Sequence, residues 1–198
     1  MSIAVVDSGV ANLASVVAAL KRLDVEAEVT SEAQKISAAS HVILPGVGSA
    51  SAAMASLEAK GLPDVLRGLT QPVLGICLGM QLLFARSDEG AGCACLGILA
   101  GEVKRLQPKE DMPIPHMGWN QIAASQAGHP LLRGIEDGSF VYFVHSFAAP
   151  VGESTIASCA YSEVFTAVAG QGNFFGCQFH PERSGTAGSK ILKNFLEI

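Results

Sequence analysis

The chain has 198 residues, of which 49% are hydrophobic and only 16% charged, and its net charge is −5 at pH 7. This composition excludes a disordered chain, and the length predicts one domain over residues 1–198 with a sizeable core. The negative charge offers no basic surface for nucleic acid or an anionic membrane, and no apolar run is long enough to span a bilayer. Five cysteines at irregular spacing do not form a disulfide framework, so we expect a reducing, cytoplasmic compartment.

Short apolar runs alternate with segments of helical periodicity through the first half of the chain. The predicted strands cover residues 3–6, 25–29, 41–44 and 73–76, and the predicted helices cover residues 13–23, 50–60, 62–69 and a segment from Leu78 that includes Phe84. This alternation predicts an α/β fold with a doubly wound, mostly parallel sheet flanked by helices. Ligands bind at the carboxyl ends of the strands in such sheets, where Asp7, residues 45–46 and Cys77 are expected to lie.

Short strands separated by turns replace this alternation after about Gly90. The predicted strands cover residues 97–106, 118–124, 140–147, 155–161, 165–169 and 173–179, and a closing helix covers residues 187–196. We therefore expect a strand-rich, partly antiparallel C-terminal half that packs as a second region on the first.

Residues 75–79, with the sequence GICLG, mark the change from an apolar strand to a helical pattern. A cysteine between two glycines at a strand-to-helix turn is typical of a nucleophile elbow, because the glycines let the strained turn form without clashes. The free N–H groups and positive dipole end of the helix favour the thiolate of Cys77 and can hold an oxyanion. A buried core cysteine is the alternative interpretation, and a base elsewhere in the chain must decide between the two.

His180 and Glu182 follow the last predicted strand and supply a base and its orienting carboxylate. In extended backbone, residues two apart project to the same face, so Glu182 could bind one imidazole nitrogen and leave the other for Cys77. Since His180 follows Cys77 by 103 residues, only the fold can bring the two together. Taken alone, the same residues could form an exposed His-Pro turn followed by a solvated Glu-Arg pair.

Residues 45–48, with the sequence PGVG, join a predicted strand to a predicted helix. Glycines on both sides of Val47 allow its N–H group to turn toward a bound carbonyl, which would give a second oxyanion donor beside the amide of Leu78. An ordinary glycine-rich turn or a phosphate loop is the alternative. The segment lacks both the G-x-G-x-x-G pattern and the Walker lysine, which argues against nucleotide binding.

Residues 45–48, 75–81 and 180–182 together resemble the triad-type (class I) glutamine amidotransferases. Four more stretches resemble the glutaminase subunits of imidazole glycerol phosphate synthase, an enzyme of histidine biosynthesis; they are residues 7–13, 115–120, 142–147 and 178–185. The resemblance extends over nearly the whole chain. It implies a flavodoxin-like sheet and a triad of Cys77, His180 and Glu182 that hydrolyses glutamine to glutamate through a glutamyl thioester.

The resemblance also implies the remaining site residues. Oxyanion amides are expected from Val47 and Leu78, and the residues expected to bind glutamine are Gly46, Gly48, Gln81, Glu89, Ser146 and Phe147. The sequence alone does not separate Glu89 from its neighbour Asp88. A (β/α)8-barrel cyclase subunit is expected to receive the ammonia and form imidazole glycerol phosphate, and the residues expected to face it are Asn12, His116, Met117, Trp119, Asn120, Tyr142 and Arg183.

No metal or other cofactor is expected, because Cys93 and Cys95 have no complementary Cys or His pair at zinc spacing. Two alternatives to this function stay open. A glutaminase subunit of another synthase, such as one for anthranilate or pyridoxal phosphate, is disfavoured by residues 116–120. A non-catalytic module on the same fold is disfavoured because Cys77, His180 and Glu182 are all present.

Overall fold

A computed structural model describes residues 2–9 and 12–198, so Val10 and Ala11 of the 7–13 stretch lie outside the described residues. The first half of the chain forms β1 (Ile3–Val6), α1 (Leu13–Lys21), β2 (Ala27–Thr30), α2 (Ala33–Ala38), β3 (His41–Gly46), α3 (Ala50–Ala59), α4 (Pro63–Arg67), β4 (Val73–Cys77) and α5 (Leu78–Leu83). The second half forms β5 (Phe84–Ser87), β6 (Cys93–Ala94), β7 (Leu99–Arg105), β8 (His116–Ala124), β9 (Phe140–His145), β10 (Phe147–Ala148), β11 (Thr155–Ala160), β12 (Val164–Gln171), β13 (Phe174–Cys177) and α6 (Gly185–Leu196). Short 3-10 turns occupy Pro130–Leu132 and Pro181–Arg183.

A nine-stranded sheet in the order β2-β1-β3-β4-β13-β12-β11-β8-β9 forms the centre of the molecule. Strands β2, β1, β3, β4 and β13 pair in parallel, which confirms the doubly wound α/β architecture and its flavodoxin-like strand order. All residues of β1, β3 and β4 are buried, as expected for parallel strands covered on both faces. The carboxyl ends of β3, β4 and β13 therefore meet at one edge of the sheet.

The antiparallel half differs from the expected second region packed on the first. Strands β12, β11, β8 and β9 continue the same sheet beyond β13, because β13 pairs in parallel with β4 on one side and antiparallel with β12 on the other. A separate four-stranded sheet in the order β10-β7-β5-β6 lies beside the end of α5. The sequence pattern cannot show this pairing, since it gives the period of a strand and not its neighbours.

Three local predictions need correction. Helix α2 was not predicted because Ile36 is its one buried residue, which leaves no apolar period to detect. Phe84 was expected on the helix after the elbow, but α5 ends at Leu83 and Phe84 opens β5 with its side chain still buried. The last strand ends at Cys177 and not at Phe179, so His180 and Glu182 follow the sheet as an irregular segment.

Apolar side chains form one core on each face of the sheet. The core beneath α1 and α6 contains large buried residues such as Leu20, Phe143 and Phe195, whereas the core beneath α3, α4 and α5 contains Leu57 and Met80. Within residues 2–9 and 12–198, no helix is both long enough and apolar enough to cross a membrane. The two cores hold the strand ends in fixed positions around one edge of the sheet.

Candidate active site

Cys77 is the last residue of β4 and stands immediately before α5, with φ 53° and ψ −112°. A positive φ is uncommon for a non-glycine residue and marks a strained turn that the surrounding packing maintains. The side chain is only 7% exposed. Leu78 opens α5, so its N–H group is one of the first in the helix, which have no acceptor within it. The predicted nucleophile elbow is thus confirmed in its backbone geometry.

Gly75 and Gly79 are required by close backbone contacts around this turn. A Cβ atom on Gly75 would lie 2.6 Å from the carbonyl oxygen of Gly79, and a Cβ on Gly79 would overlap the carbonyl oxygen of Leu44 on β3. No side chain fits either position without moving the backbone. The two glycines therefore let α5 pack directly against β3 and β4, which fixes the position of Cys77.

His180 and Glu182 form a buried pair, with Nδ1 of the imidazole 2.8 Å from Oε1 of the carboxylate. Their side chains are 8% and 2% exposed. The expected contact is present, but the expected extended backbone is not, because Glu182 lies in the 3-10 turn Pro181–Arg183. A hydrogen bond from the amide of His180 to the carbonyl oxygen of Tyr142, 2.9 Å, attaches this segment to β9.

The groups around His180 shift the pKa of its imidazole upward. Burial lowers its pKa, but interaction with the Cys77 sulfur and the Glu182 carboxylate outweighs burial and raises the pKa of His180 to about 10. Among the described residues, Nε2 of His180 has no partner with hydrogen-bond geometry. The Cys77 sulfur lies near the imidazole ring but does not meet hydrogen-bond geometry at Nε2. Contacts between a nucleophile and its base often become fully aligned only when substrate is bound.

A cavity of about 320 Å³ lies above the elbow and brings most of the predicted site residues together. Its lining includes Val47, Gly48, Cys77, Leu78, Gln81, Glu89, Ser146, Phe147 and His180, along with Pro115, Val144 and His145, which were not predicted as site residues. Gly46 and Glu182 do not line this cavity: Gly46 pairs with Cys77 across the β3–β4 ladder and packs against Leu78, and Glu182 is bonded to Nδ1 of His180. Gly48 has φ +88°, a conformation that glycine adopts without strain.

Glu89 and Asp88 are separated by their contacts. Oε2 of Glu89 accepts a hydrogen bond of 2.7 Å from the amide of Ala50 at the start of α3, and Glu89 lines the cavity. The carboxylate of Asp88 instead accepts from the amide of Arg105 on β7, at 3.1 Å. The geometry therefore favours Glu89 for contact with a ligand.

A polar network beneath the cavity was not predicted from the sequence. Gln81 is buried, and its Nε2 donates to the carbonyl oxygen of Phe147, 2.8 Å, and to Oε1 of Gln178, 3.0 Å. Nδ1 of His145 also donates to the carbonyl oxygen of Phe147, at 2.9 Å. The sequence offers one signal for this network, a polar residue inside an apolar run, such as Gln178 between Cys177 and Phe179. A polar side chain buried in this way needs hydrogen-bond partners.

Among the residues expected to face a partner subunit, Met117, Trp119 and Tyr142 lie on one face of the β8–β9 pair, and His116 and Asn120 lie on the other. Met117 is 65% exposed and Trp119 is 55% exposed. The ring centroids of Trp119 and Tyr142 lie 6.0 Å apart in an edge contact. Arg183 is also exposed, and Asn12 and Asn120 are half-buried. His116 is only 3% exposed and stacks on Phe143 and Tyr161 in the interior, where Asn120 bonds to it.

The β8–β9 pairing places this surface directly against the cavity wall. Met117 is paired with Val144, whose carbonyl oxygen lies 3.9 Å from the Cys77 sulfur, and Trp119 is paired with Tyr142. A protein bound over Met117 and Trp119 would therefore sit one strand away from the nucleophile.

A buried cysteine on an elbow shares a cavity with a histidine that is bonded to a glutamate, which is the arrangement expected of a triad-type amide-hydrolysing site. The family model for class I glutamine amidotransferases matches residues 4–198, and the chain therefore belongs to that family. Within the family, it belongs with the HisH subunits of imidazole glycerol phosphate synthase. The HisH subunits of Pectobacterium atrosepticum and Escherichia coli K12 are 52% and 50% identical to it, each over 100% of both chains. That of Shewanella oneidensis is 49% identical, covering 99% of this chain and 96% of its own length.

Solved structures of lower sequence identity share the fold. A crystal structure described as glutamine amidotransferase has a TM-score of 0.75 at 20% identity and covers 98% of this chain and 97% of its own. The structure of PurLQS from Thermotoga maritima has a TM-score of 0.71 at 22% identity, covering 99% of this chain and 97% of the matched chain. The predicted fold class is thus confirmed.

Proposed function

We propose that the chain is the glutaminase subunit of an imidazole glycerol phosphate synthase. It hydrolyses glutamine to glutamate and passes the ammonia to a (β/α)8-barrel cyclase subunit in histidine biosynthesis. The observation that carries the proposal is the position of Cys77, at a strained strand-to-helix turn and in the same cavity as His180, whose imidazole is bonded to Glu182. No cofactor takes part in the proposed reaction.

The proposed reaction begins when the Cys77 sulfur attacks the carboxamide carbon of glutamine and its thiol proton passes to Nε2 of His180. The amides of Leu78 and Val47 hold the resulting oxyanion. His180 then gives the proton to the leaving nitrogen, the carbon–nitrogen bond breaks, and ammonia and a glutamyl thioester form. In the second half, His180 takes a proton from water, the hydroxide attacks the thioester, and glutamate and the free thiol are released.

Glu182 has an electrostatic and an orienting role in this scheme. Its hydrogen bond to Nδ1 fixes the imidazole with Nε2 toward the cavity, and its charge stabilises the imidazolium formed in each half of the reaction. The Cys77 sulfur and, after it, the Glu182 carboxylate raise the pKa of His180, which favours the protonated imidazole in the folded chain.

Glutamine is held, in this proposal, by polar groups around the cavity mouth. Gln81 and Glu89 contact the α-amino end of the substrate, and Gly48 with the backbone of Ser146 and Phe147 completes the pocket. Gly46 was expected to bind substrate, and its packing beneath the elbow supports an indirect role instead.

The partner surface consists of Asn12, Met117, Trp119, Asn120, Tyr142 and Arg183. An exposed tryptophan beside an exposed methionine suits the centre of a protein interface. The relatives named above are each called a subunit of the synthase, which supports a heterodimer with the ammonia passing across this face. His116 contributes by packing behind this surface and not by contact with the partner, and the side chain of Asn120 bonds to His116 from the same face of the strand.

The proposal treats residues 1–198 as a single amidotransferase domain. The nine-stranded sheet supports this, because strands from the two halves of the chain form one continuous sheet, joined by the pairing of β4 with β13. A cytoplasmic location is also part of the proposal, and the five free cysteines are consistent with a reducing compartment.

Hydroxylamine trapping with the barrel subunit present tests the covalent reaction. The complex should release glutamate from glutamine and, with hydroxylamine added, form γ-glutamyl hydroxamate by capture of the thioester. Cys77→Ser should abolish both products while ammonia-dependent synthesis by the complex continues, since the barrel requires only ammonia. Glutamine hydrolysis by a verified Cys77→Ser protein would overturn the proposal.

A further inference from the structure

Gln178 is a fully buried polar residue that the proposed reaction does not use. It lies one residue beyond β13 and two before His180, with a side chain 0% exposed to solvent. A buried amide costs free energy unless its polar atoms are bonded. Both ends of this amide are bonded, one to Gln81 and the other to the Cys77 sulfur.

The direction of these bonds follows from one backbone carbonyl. The oxygen of Phe147 can only accept, so the atom of Gln81 that faces it, at 2.8 Å, must be the donor Nε2. The same Nε2 lies 3.0 Å from Gln178, which must present its acceptor Oε1 there. Nε2 of Gln178 is thereby turned toward the Cys77 sulfur, at 3.9 Å. The orientation of both amides is fixed without freedom to flip.

We propose that Gln178 is a positioning residue that holds the nucleophile and the substrate-binding amide of Gln81 in their working orientations. This inference rests on the proposed role of Cys77 as the nucleophile. An amide N–H does not give up its proton at neutral pH, so it stabilises negative charge on the sulfur without competing for the proton that His180 moves. In a buried elbow it takes the place of the water that would otherwise solvate the thiolate.

The second consequence concerns Gln81. Both hydrogens of its Nε2 are used, by Phe147 and by Gln178, so Oε1 is the atom left for a ligand in the cavity that Gln81 lines. A hydrogen-bond acceptor at that place selects a donor on the substrate, such as an ammonium or amide N–H. Loss of Gln178 would free Gln81 to rotate and present a donor instead, which weakens that selection.

Two variants separate this role from simple packing. Gln178→Met keeps the length of the side chain but removes the donor and the acceptor. Gln178→Glu keeps the acceptor for Gln81 but adds an ionisable group beside the sulfur. Gln71→Met is the matched control, because Nε2 of Gln71 bonds the carbonyl oxygen of Ile36, at 3.0 Å, at the opposite end of β4.

Each protein is assayed in complex with the barrel subunit, and ammonia-dependent synthesis reports intact assembly. Iodoacetamide alkylation of the peptide containing Cys77 is followed against pH, and kcat and KM for glutamine are measured. For Gln178→Met we expect the alkylation profile to move to higher pH and kcat to fall about tenfold or more, because the sulfur loses a hydrogen bond. We also expect KM to rise, because Gln81 no longer holds its acceptor in a fixed position. Gln71→Met should behave as wild type in all three readouts.

Gln178→Glu provides the second readout. Its turnover should decline as pH rises from about 6 to about 9, because an ionised carboxylate opposes a thiolate at close range. If Gln178→Met fails to assemble, this pH profile decides alone. The inference would be overturned if Gln178→Met had the same alkylation profile, kcat and KM as Gln71→Met. It would also be overturned if the turnover of Gln178→Glu followed the wild-type pH dependence. Cys77→Ser keeps the two proposals distinct: if it is inactive while the Gln178 variants match wild type, only the positioning role fails.

Discussion

Nδ1 of His116 lies 3.0 Å from Nε2 of His145, and this contact joins the strand that carries the exposed Met117 and Trp119 to the wall of the cavity. Nδ2 of Asn120, which also donates to the carbonyl oxygen of Ala160, faces Nε2 of His116 at 3.3 Å, so Nε2 of His116 accepts and its Nδ1 carries the proton. Nε2 of His145 therefore accepts from His116, and its Nδ1 donates to the carbonyl oxygen of Phe147. Both imidazoles are therefore neutral. Burial lowers the pKa of His116 to about 4 and that of His145 to about 3, which agrees with this assignment.

The lowered pKa of His116 should make the stability of the fold depend on pH. Below about pH 6.5 the unfolded chain binds a proton at this residue while the folded chain does not, so the free energy of unfolding falls as pH decreases toward about 4. His116→Asn keeps a donor near His145 and removes the titration. Urea unfolding measures the free energy of unfolding at pH 7.5 and at pH 5. The decrease between the two pH values should be smaller for this variant than for wild type, by on the order of 1 kcal/mol. An equal decrease in both proteins would contradict the assignment of His116 as neutral.

The triad should respond unequally to loss of its base and of its orienting carboxylate. His180→Asn removes the group that moves the proton and should lower glutamine turnover by about a hundredfold or more. Glu182→Gln should lower turnover less, because the oxygen of the introduced amide can still accept a hydrogen bond from Nδ1 of His180. The other carboxylate oxygen, Oε2 of Glu182, has no hydrogen-bond partner in the described structure, so none is lost there. Steady-state glutamate release by each complex provides the comparison. Equal losses would mean that the charge of Glu182 matters more than its orienting bond.

The segment around Val47 should make glutaminase activity dependent on the partner. Glycine at position 48 has φ +88°, and Val47 lines the cavity, so turning the peptide at Val47 costs little strain. An amide that points away at rest removes one oxyanion donor, typically worth about 100- to 1,000-fold in turnover.

Glutamate release is compared for the isolated chain, the complex, and the complex with a nucleotide ligand of the barrel. We expect rates to rise in that order, because a ligand shifts such an equilibrium through unequal affinity for its two states. Equal rates in all three would indicate an oxyanion hole that is already formed.

Glu89 should matter for substrate binding, whereas Asp88 should not. Glu89→Gln removes the charge proposed to bind the substrate ammonium and should raise KM for glutamine by about tenfold with a smaller effect on kcat. Its contact with the amide of Ala50 at the start of α3 should also make the variant less stable by about 0.5–1 kcal/mol. Asp88→Asn is the control. A rise in KM for Asp88→Asn and none for Glu89→Gln would reverse the assignment.

Trp119 should be a central contact of the partner surface. Trp119→Ala should weaken binding of the barrel subunit by about 2 kcal/mol, near thirtyfold in Kd, as is common for an interface tryptophan. Val151→Ala is the control, because Val151 is 51% exposed but lines a separate groove with Phe84 and Gly101. Calorimetric titration of the barrel subunit with each variant provides the two Kd values. A similar effect of both variants would argue that the interface lies elsewhere.

Local patterns in the sequence were sufficient for β1, β3 and β4 of the parallel half of the sheet and for the strand-to-helix turn at Cys77. A buried parallel strand is a short apolar run, and a helix repeats its apolar face, so β1, β3, β4 and the first turn of α5 are visible without neighbours. Gly75 and Gly79 likewise belong to a local turn. The resemblance of longer motifs then indicated the family, which the comparisons confirmed.

Tertiary structure decided what depends on contacts between distant residues. β13 pairs with β4, so Gln178 reaches Cys77 across 101 positions, and this register leaves no local trace in either segment. The choice of Glu89 over Asp88 depends on where α3 begins relative to the 88–89 turn. His116 is buried because the β8–β9 pairing turns it inward while Met117 and Trp119 stay at the surface. Sequence periodicity identifies a strand, but only its pairing determines which of its polar side chains meet.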